Sequence, residues 1–186
     1  MKTLRTFALF LLILLLSACA DQTKTVYTVV APASLKPGDA IPAPSGEVIL
    51  TVSGKISAKN NGDTLQMDLA TLEKLGLVEY DIHDPWMKEQ VTYTGVLMSD
   101  FLKFIQADST AELVHIVALD DYQVDLSVRE LQKWPVLLAT RANGAYMTVN
   151  ENGPTRIIFP FDQYPEIDKK DYQDLSIWNI VSMEVR

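Results

Sequence analysis

Gln90-Val91-Thr92-Tyr93-Thr94-Gly95-Val96-Leu97-Met98-Ser99-Asp100-Phe101-Leu102-Lys103-Phe104-Ile105-Gln106 changes its period partway along. Gln90 to Thr94 is rich in β-branched and aromatic residues and reads as a strand. From Met98 to Gln106, Phe101, Leu102 and Ile105 fall on one helix face. The same alternation of short strands and short helices extends in both directions. Upstream, Glu47 to Ser53 and Leu77 to Tyr80 read as strands. Between them, Asp68 to Leu75 has a capping Asp, apolar spacing and a stop at Gly76. Downstream, Leu113 to Leu119 reads as a continuous apolar, central strand. Ser127 with Glu130 reads as a capping box for a short helix through Lys133, stopped by Pro135. Val136 to Ala139, Ile157 to Phe159 and Ile177 to Val185 read as further strands. Short helices among many strands indicate an α+β domain.

Composition narrows the function. The 186 residues carry 16 Lys+Arg against 24 Asp+Glu, a net charge of −8. That balance argues against sequence-independent nucleic-acid binding, which needs clustered cations to neutralise phosphates. A hydrophobic fraction of 48% supports a packed core. One Cys excludes an internal disulfide and a Cys-rich zinc site, and two His make a multi-histidine metal centre an unfavoured reading.

The N-terminus reads as an export signal. Lys2 and Arg5 precede an apolar run from Phe7 to Leu16. Ten helical residues reach about 15 Å, half the hydrocarbon thickness, as expected of a signal and not of a membrane span. Leu16-Ser17-Ala18-Cys19 is similar to the lipobox of bacterial lipoproteins, which makes Cys19 the expected lipidation site. The alternative is ordinary cleavage after Ala20 and a soluble periplasmic product. Residues 1–18 are therefore expected to be a signal peptide, and 19–46, with four prolines, a tether. Residues 47–186 are expected to form the domain, with no further membrane segment.

Familiar catalytic motifs are missing. There is no G-x-S-x-G, G-x-x-x-x-G-K, H-E-x-x-H or G-x-G-x-x-G, and no thiol within residues 47–186. His115, inside an apolar strand, reads as a core or edge histidine. His83-Asp84-Pro85-Trp86 reads as a polar-aromatic loop between two strands, either a place for a site or a Pro turn with its Trp folded onto the core. Asp120-Asp121-Tyr122 ends the Leu113 to Leu119 strand and reads either as a point where side chains converge or as a solvated turn, which Asp favours. Arg141 and Asn143-Gly144 follow another strand, and Asn-Gly is a hairpin signal. Arg156 follows the Gly153-Pro154 turn, where a lone Arg more commonly pairs with one of the 24 acidic residues than serves a ligand.

In this order the clusters resemble the molybdopterin-binding domain of the sulfite oxidase family. The resemblance is carried by Tyr93-Thr94-Gly95-Val96-Leu97 with the helix to Phe104, Ala118-Leu119-Asp120-Asp121-Tyr122, Leu137-Leu138-Ala139 and Asn143-Gly144. Gly153-Pro154-Thr155-Arg156-Ile157-Ile158-Phe159-Pro160 and Trp178 complete it. It implies mixed β-sheets with short helices and a pterin pocket at one edge. In the family's enzymes a cysteine thiolate binds molybdenum; here that position falls at or next to Ile82-His83, without a thiol. The implied ligand is therefore a pterin, reduced or molybdopterin-like, with no metal expected. Trp86 or Trp178 would supply an aromatic wall, Asp84 or Asp120 an acceptor, and Arg141 or Arg156 a donor. His83, Tyr122 and Asn143 complete the candidate set, and Asp120, Arg156 and Trp86 are the first choice.

Short exported members of this family are similar to periplasmic pterin-binding sensory proteins. Those work with a membrane partner that makes or degrades cyclic di-GMP. The resemblance thus implies a non-enzymatic pterin sensor. Two alternatives remain: a molybdenum-cofactor oxidoreductase with His83 or solvent as the altered ligand, and an interaction module with a degenerate pocket.

Overall fold

The computed structural model describes residues 26–186. The signal segment and Cys19 lie outside the described residues. Two sheets form the domain. The first has the order β1 (Thr28–Ala31), β4 (Leu77–Asp84), β5 (Glu89–Leu97), β8 (Leu137–Ala142) and β10 (Arg156–Ile158), with β9 (Ala145–Tyr146) also paired to β8. All its pairings are antiparallel. The second has the order β3 (Leu65–Met67), β2 (Leu50–Gly54), β11 (Ile180–Val185), β6 (Leu113–Ala118) and β7 (Gln123–Ser127). Its β2–β11 pairing is parallel and the rest are antiparallel. The helices are short: α1 (Leu69–Glu73), α2 (Met98–Phe104), α3 (Val128–Lys133) and α4 (Lys170–Gln173). This is the α+β arrangement expected from the sequence. Among the described residues, no helix is long and apolar enough to cross a membrane.

Strand β5 runs straight into α2, as the change of period indicates, and the Met98 amide donates to Val136 at 2.8 Å. Gly95 sits where the β5–β8 register slips, and a Cβ there would lie 2.3 Å from the Leu138 carbonyl oxygen. Only glycine lets the two strands approach this closely. Asn143 and Gly144, both at positive φ (50° and 80°), turn β8 into β9, as the Asn-Gly signal requires. Asp68 caps α1 by accepting from the Thr71 amide at 2.7 Å.

The two sheets meet at one seam. Arg156 of β10 forms an isolated bridge with Trp178, and the Ile157 amide donates to the Ile177 carbonyl at 2.8 Å. The segment that enters β11 in the second sheet is thus zipped to the end of the first.

Several local expectations differ from the structure. Part of the expected tether is built into the domain: Thr28–Ala31 pairs with β4, Ile41 is buried, and the Ser45 and Gly46 amides donate to Asp68. Strand β1 buries neither face fully, so no apolar alternation marks it in the sequence. His83 and Asp84 are the last residues of β4, so the loop expected from His83 shrinks to Pro85–Lys88. Strand β6 is paired on both sides, but its burial alternates, with Leu113 and nearby Leu119 exposed. One face therefore meets solvent, and His115 on it pairs with Asp125 across the ladder at 2.8 Å. The Ser127 side chain makes no cap hydrogen bond. The Glu130 carboxylate instead accepts from Trp134 Nε1 at 2.8 Å and Tyr172 Oη at 2.7 Å.

Candidate ligand pocket at the sheet seam

The last residues of β4 organise the site. Asp84 is fully buried, and its Oδ1 accepts from the Trp86 and Met87 amides at 2.8 and 2.9 Å, which folds the β4–β5 turn around it. Its Oδ2 accepts from Tyr93 Oη at 2.7 Å and lies 2.9 Å from Arg156 Nη1. Arg156 Nη1 also donates to Tyr93 Oη at 2.8 Å, closing a triangle of three buried polar side chains. Burial pushes the Asp84 carboxyl up. The Arg156 charge, the Tyr93 hydroxyl and the two amides outweigh that and hold it below the usual carboxylate range. The Tyr93 hydroxyl is pushed well above its ordinary value, chiefly by burial, with the Asp84 carboxylate adding to the effect and Arg156 opposing it. The triangle is a neutralised strut inside the fold.

Two tryptophans stand above it. The Arg156 guanidinium lies 5.4 Å from the centre of the Trp178 ring, a cation–π approach. Trp178 in turn meets Trp86 edge-on, with centroids 5.7 Å apart and planes at 70°. Together they wall a cavity of about 270 Å³ that Ala118, Ile177 and Ser176 also line. Its polar rim comes from the β6–β7 turn, where Asp121 takes positive φ and Asp120 Oδ1 accepts from the Tyr122 amide at 3.2 Å. Tyr122 Oη donates to the Asp174 carbonyl at 3.0 Å, and the Leu119 amide to the Asn179 carbonyl at 2.9 Å. Those bonds hold the turn against the segment that carries Trp178. Ser176, only 4% exposed, keeps its hydroxyl without a protein partner among the described residues. A buried hydroxyl with an unused donor and acceptor, facing a cavity, is ready for a polar ligand.

The candidate residues divide into three groups. Trp86, Asp120, Tyr122 and Trp178 come together as pocket lining. Asp84 and Arg156 lie beneath it and are committed to each other, so Arg156 does not line the cavity. Arg141, Asn143 and His83 are elsewhere. Arg141 makes a two-pronged bond to Glu73 (3.1 and 2.6 Å) and meets Tyr146. The Asn143 side chain accepts from the Thr92 amide at 3.1 Å. His83 is exposed, and strand alternation turns it away from the face that buries Ile82 and Asp84. Sequence reasoning missed Ser176, Ile177, Gln173 and Asp174 as lining. Ser176 and Ile177 directly precede Trp178, and that adjacency was the available signal; Gln173 and Asp174 carried none. A larger concavity of about 620 Å³ opens between the ends of α2 and α3, lined by Lys103, Asp108 and Arg129 among others, but has no aromatic wall.

The model of the family described as "Oxidoreductase molybdopterin binding domain" matches residues 65–163, just over half of the chain. The chain belongs to this family. Residues 65–163 run from β3 past β10 and include Trp86, Asp120 and Arg156. No curated protein matches the chain. Among solved structures, the sulfane dehydrogenase SoxCD from Paracoccus pantotrophus is similar, with a TM-score of 0.55 at 13% identity. That match covers 73% of this chain, which spans about 37% of the length of the SoxCD chain. At this identity it shows a shared fold. The molybdopterin-binding domain described here is thus a sulfite-oxidase-like fold of mixed sheets and few helices.

The family implies a molybdenum centre, and the donor set at the corresponding strand does not fit one. Ile82 is packed in the core and His83 points to solvent. The one Cys of the chain is Cys19, outside the described residues. Among the described residues, no three His, Cys, Asp or Glu side chains gather as a ligand set. The aromatic walls and polar rim, in contrast, suit the flat organic part of such a cofactor.

Proposed function

We propose that the domain binds a pterin ring in the Trp86–Trp178 pocket as a recognition event, without redox chemistry. The observation that carries this reading is the pairing of two tryptophan walls with the unpartnered Ser176 hydroxyl and the Asp120 carboxylate at one cavity. A pterin presents a flat face for the tryptophans. Its edge presents adjacent N–H donors for a carboxylate and acceptors for a hydroxyl. Calorimetric titration of 7,8-dihydroneopterin into the metal-free protein is the test. Saturable binding that Trp178→Ala abolishes supports the reading, and no binding to the folded protein refutes it.

The wider role follows the same reading. The protein is an exported, lipid-anchored sensor held at the membrane through Cys19, and it reports pterin occupancy to a membrane protein that controls cyclic di-GMP. Anchoring raises the effective concentration of sensor and partner in the membrane plane. Cyclic di-GMP levels that respond to external pterin only when this chain is present would support that role.

A further inference from the structure

We infer that the pocket takes an uncharged, phosphate-free ring and discriminates against phosphorylated forms of the same ring. This rests on the pterin-binding reading above. Among the described residues, the cavity lining contains the carboxylates of Asp120 and Asp174 and no Lys or Arg. Asp174 is bridged to Lys170 at 2.6 and 2.8 Å, so its charge is locally balanced. Asp120 forms no ion pair among the described residues and leaves uncompensated negative charge at the rim.

The guanidinium beneath the pocket does not alter this balance. Arg156 is 1% exposed, and its Nη1 is committed to Asp84 and Tyr93. Its Nε has no hydrogen-bond partner among the described residues, but the side chain does not line the cavity, and moving it up to a ligand phosphate would strand the buried Asp84 carboxylate. A phosphate group is normally held by several cationic or amide donors. Here the lining offers no such cation among the described residues, and the tail would bring its charge to a chain whose net charge is already −8, with Asp120 unpaired at the rim. A neutral ring faces no such opposition. Its N–H edge meets the Asp120 carboxylate, and its ring nitrogens or carbonyl meet the buried Ser176 hydroxyl, which has no protein partner among the described residues. The pocket that accepts an uncharged N–H edge thus offers an anionic tail no cationic partner among the described residues.

The experiment compares 7,8-dihydroneopterin with 7,8-dihydroneopterin triphosphate by calorimetry on the full chain in detergent. The expected result is binding of the triphosphate at least ~tenfold weaker at low salt, with the gap narrowing as salt rises. Asp120→Asn is expected to narrow the gap at low salt, and Asp120→Lys to shift preference toward the triphosphate, both at an unchanged melting temperature. Equal or tighter binding of the triphosphate by the parent overturns the inference and leaves the pterin reading standing. So does a gap insensitive to salt and to both Asp120 variants. If neither compound binds, the pterin reading falls and the inference with it.

Discussion

Arg156 and Asp84 form an ion pair of 2.9 Å in which neither side chain reaches solvent. One comes from β10 and the other from the end of β4, strands of one sheet separated by β5 and β8. The pair locks the β4–β5 turn beneath the pocket, because Asp84 also holds the Trp86 and Met87 amides.

Removing one partner leaves an isolated buried charge. Arg156→Met and Asp84→Leu are each expected to lower unfolding stability by about 3–5 kcal/mol, whereas the double variant recovers part of that loss. Urea titrations of the four proteins give the coupling, and strictly additive losses would contradict it. Tyr93→Phe removes one hydroxyl from the triangle and is expected to cost about 1–3 kcal/mol.

Acid should destabilise the fold through the same carboxylate. Asp84 titrates lower in the folded protein than in the unfolded chain, where an Asp titrates near ~3.9. The unfolded state therefore takes up the proton first as pH falls. The Asp84 contribution is complete above about pH 5 and is lost as pH drops through ~3.9 toward the folded value. Asp68, which caps α1 and accepts from Ser45 and Gly46, is also held low, first by its hydrogen bond from Thr71. Urea midpoints at pH 7 and pH 3 are expected to differ less in Asp68→Asn than in the parent protein.

Ligand binding should separate the pocket from its surroundings. Trp86 is 47% exposed, so Trp86→Ala is expected to leave the melting temperature unchanged and to weaken pterin binding by about 5–100-fold. Asp120→Asn removes a charge-assisted acceptor and is expected to cost about 10–100-fold. His83→Ala and Asn143→Ser, which lie off the pocket, should bind like the parent. A loss in either of those two, with Trp86→Ala unaffected, would move the site.

Membrane attachment is expected to depend on one residue. Cys19→Ser should abolish acylation and release the protein into the soluble periplasmic fraction. Sedimentation of the Ser variant with membranes would mean that the proposed partner alone retains it, or that the lipobox reading is wrong.

What the sequence determined by itself was local. The switch from strand to helix at Leu97-Met98, the Asp68 cap, the Asn143-Gly144 turn and the aspartates at the end of β6 each follow from a few neighbouring residues. Short-range sterics and hydrogen bonding decide such features, so they are legible in a line of letters. Trp86, Asp120, Tyr122 and Trp178 each stand next to a strand end, and they line one cavity, a convergence that the family resemblance implied and strand patterning alone did not give. Pairing was not legible. Arg156 had 24 acidic residues to choose among, and only the sheet geometry sets it on Asp84, leaving Asp120 open. Arg141, an equal candidate by sequence, is taken by Glu73 across the fold. Strand β1 joins the sheet without a pattern of its own, because β4 supplies the open edge it needs. Charge pairing and edge pairing depend on which distant groups meet after collapse, and so the tertiary structure alone decided which polar groups the pocket has left to offer a ligand.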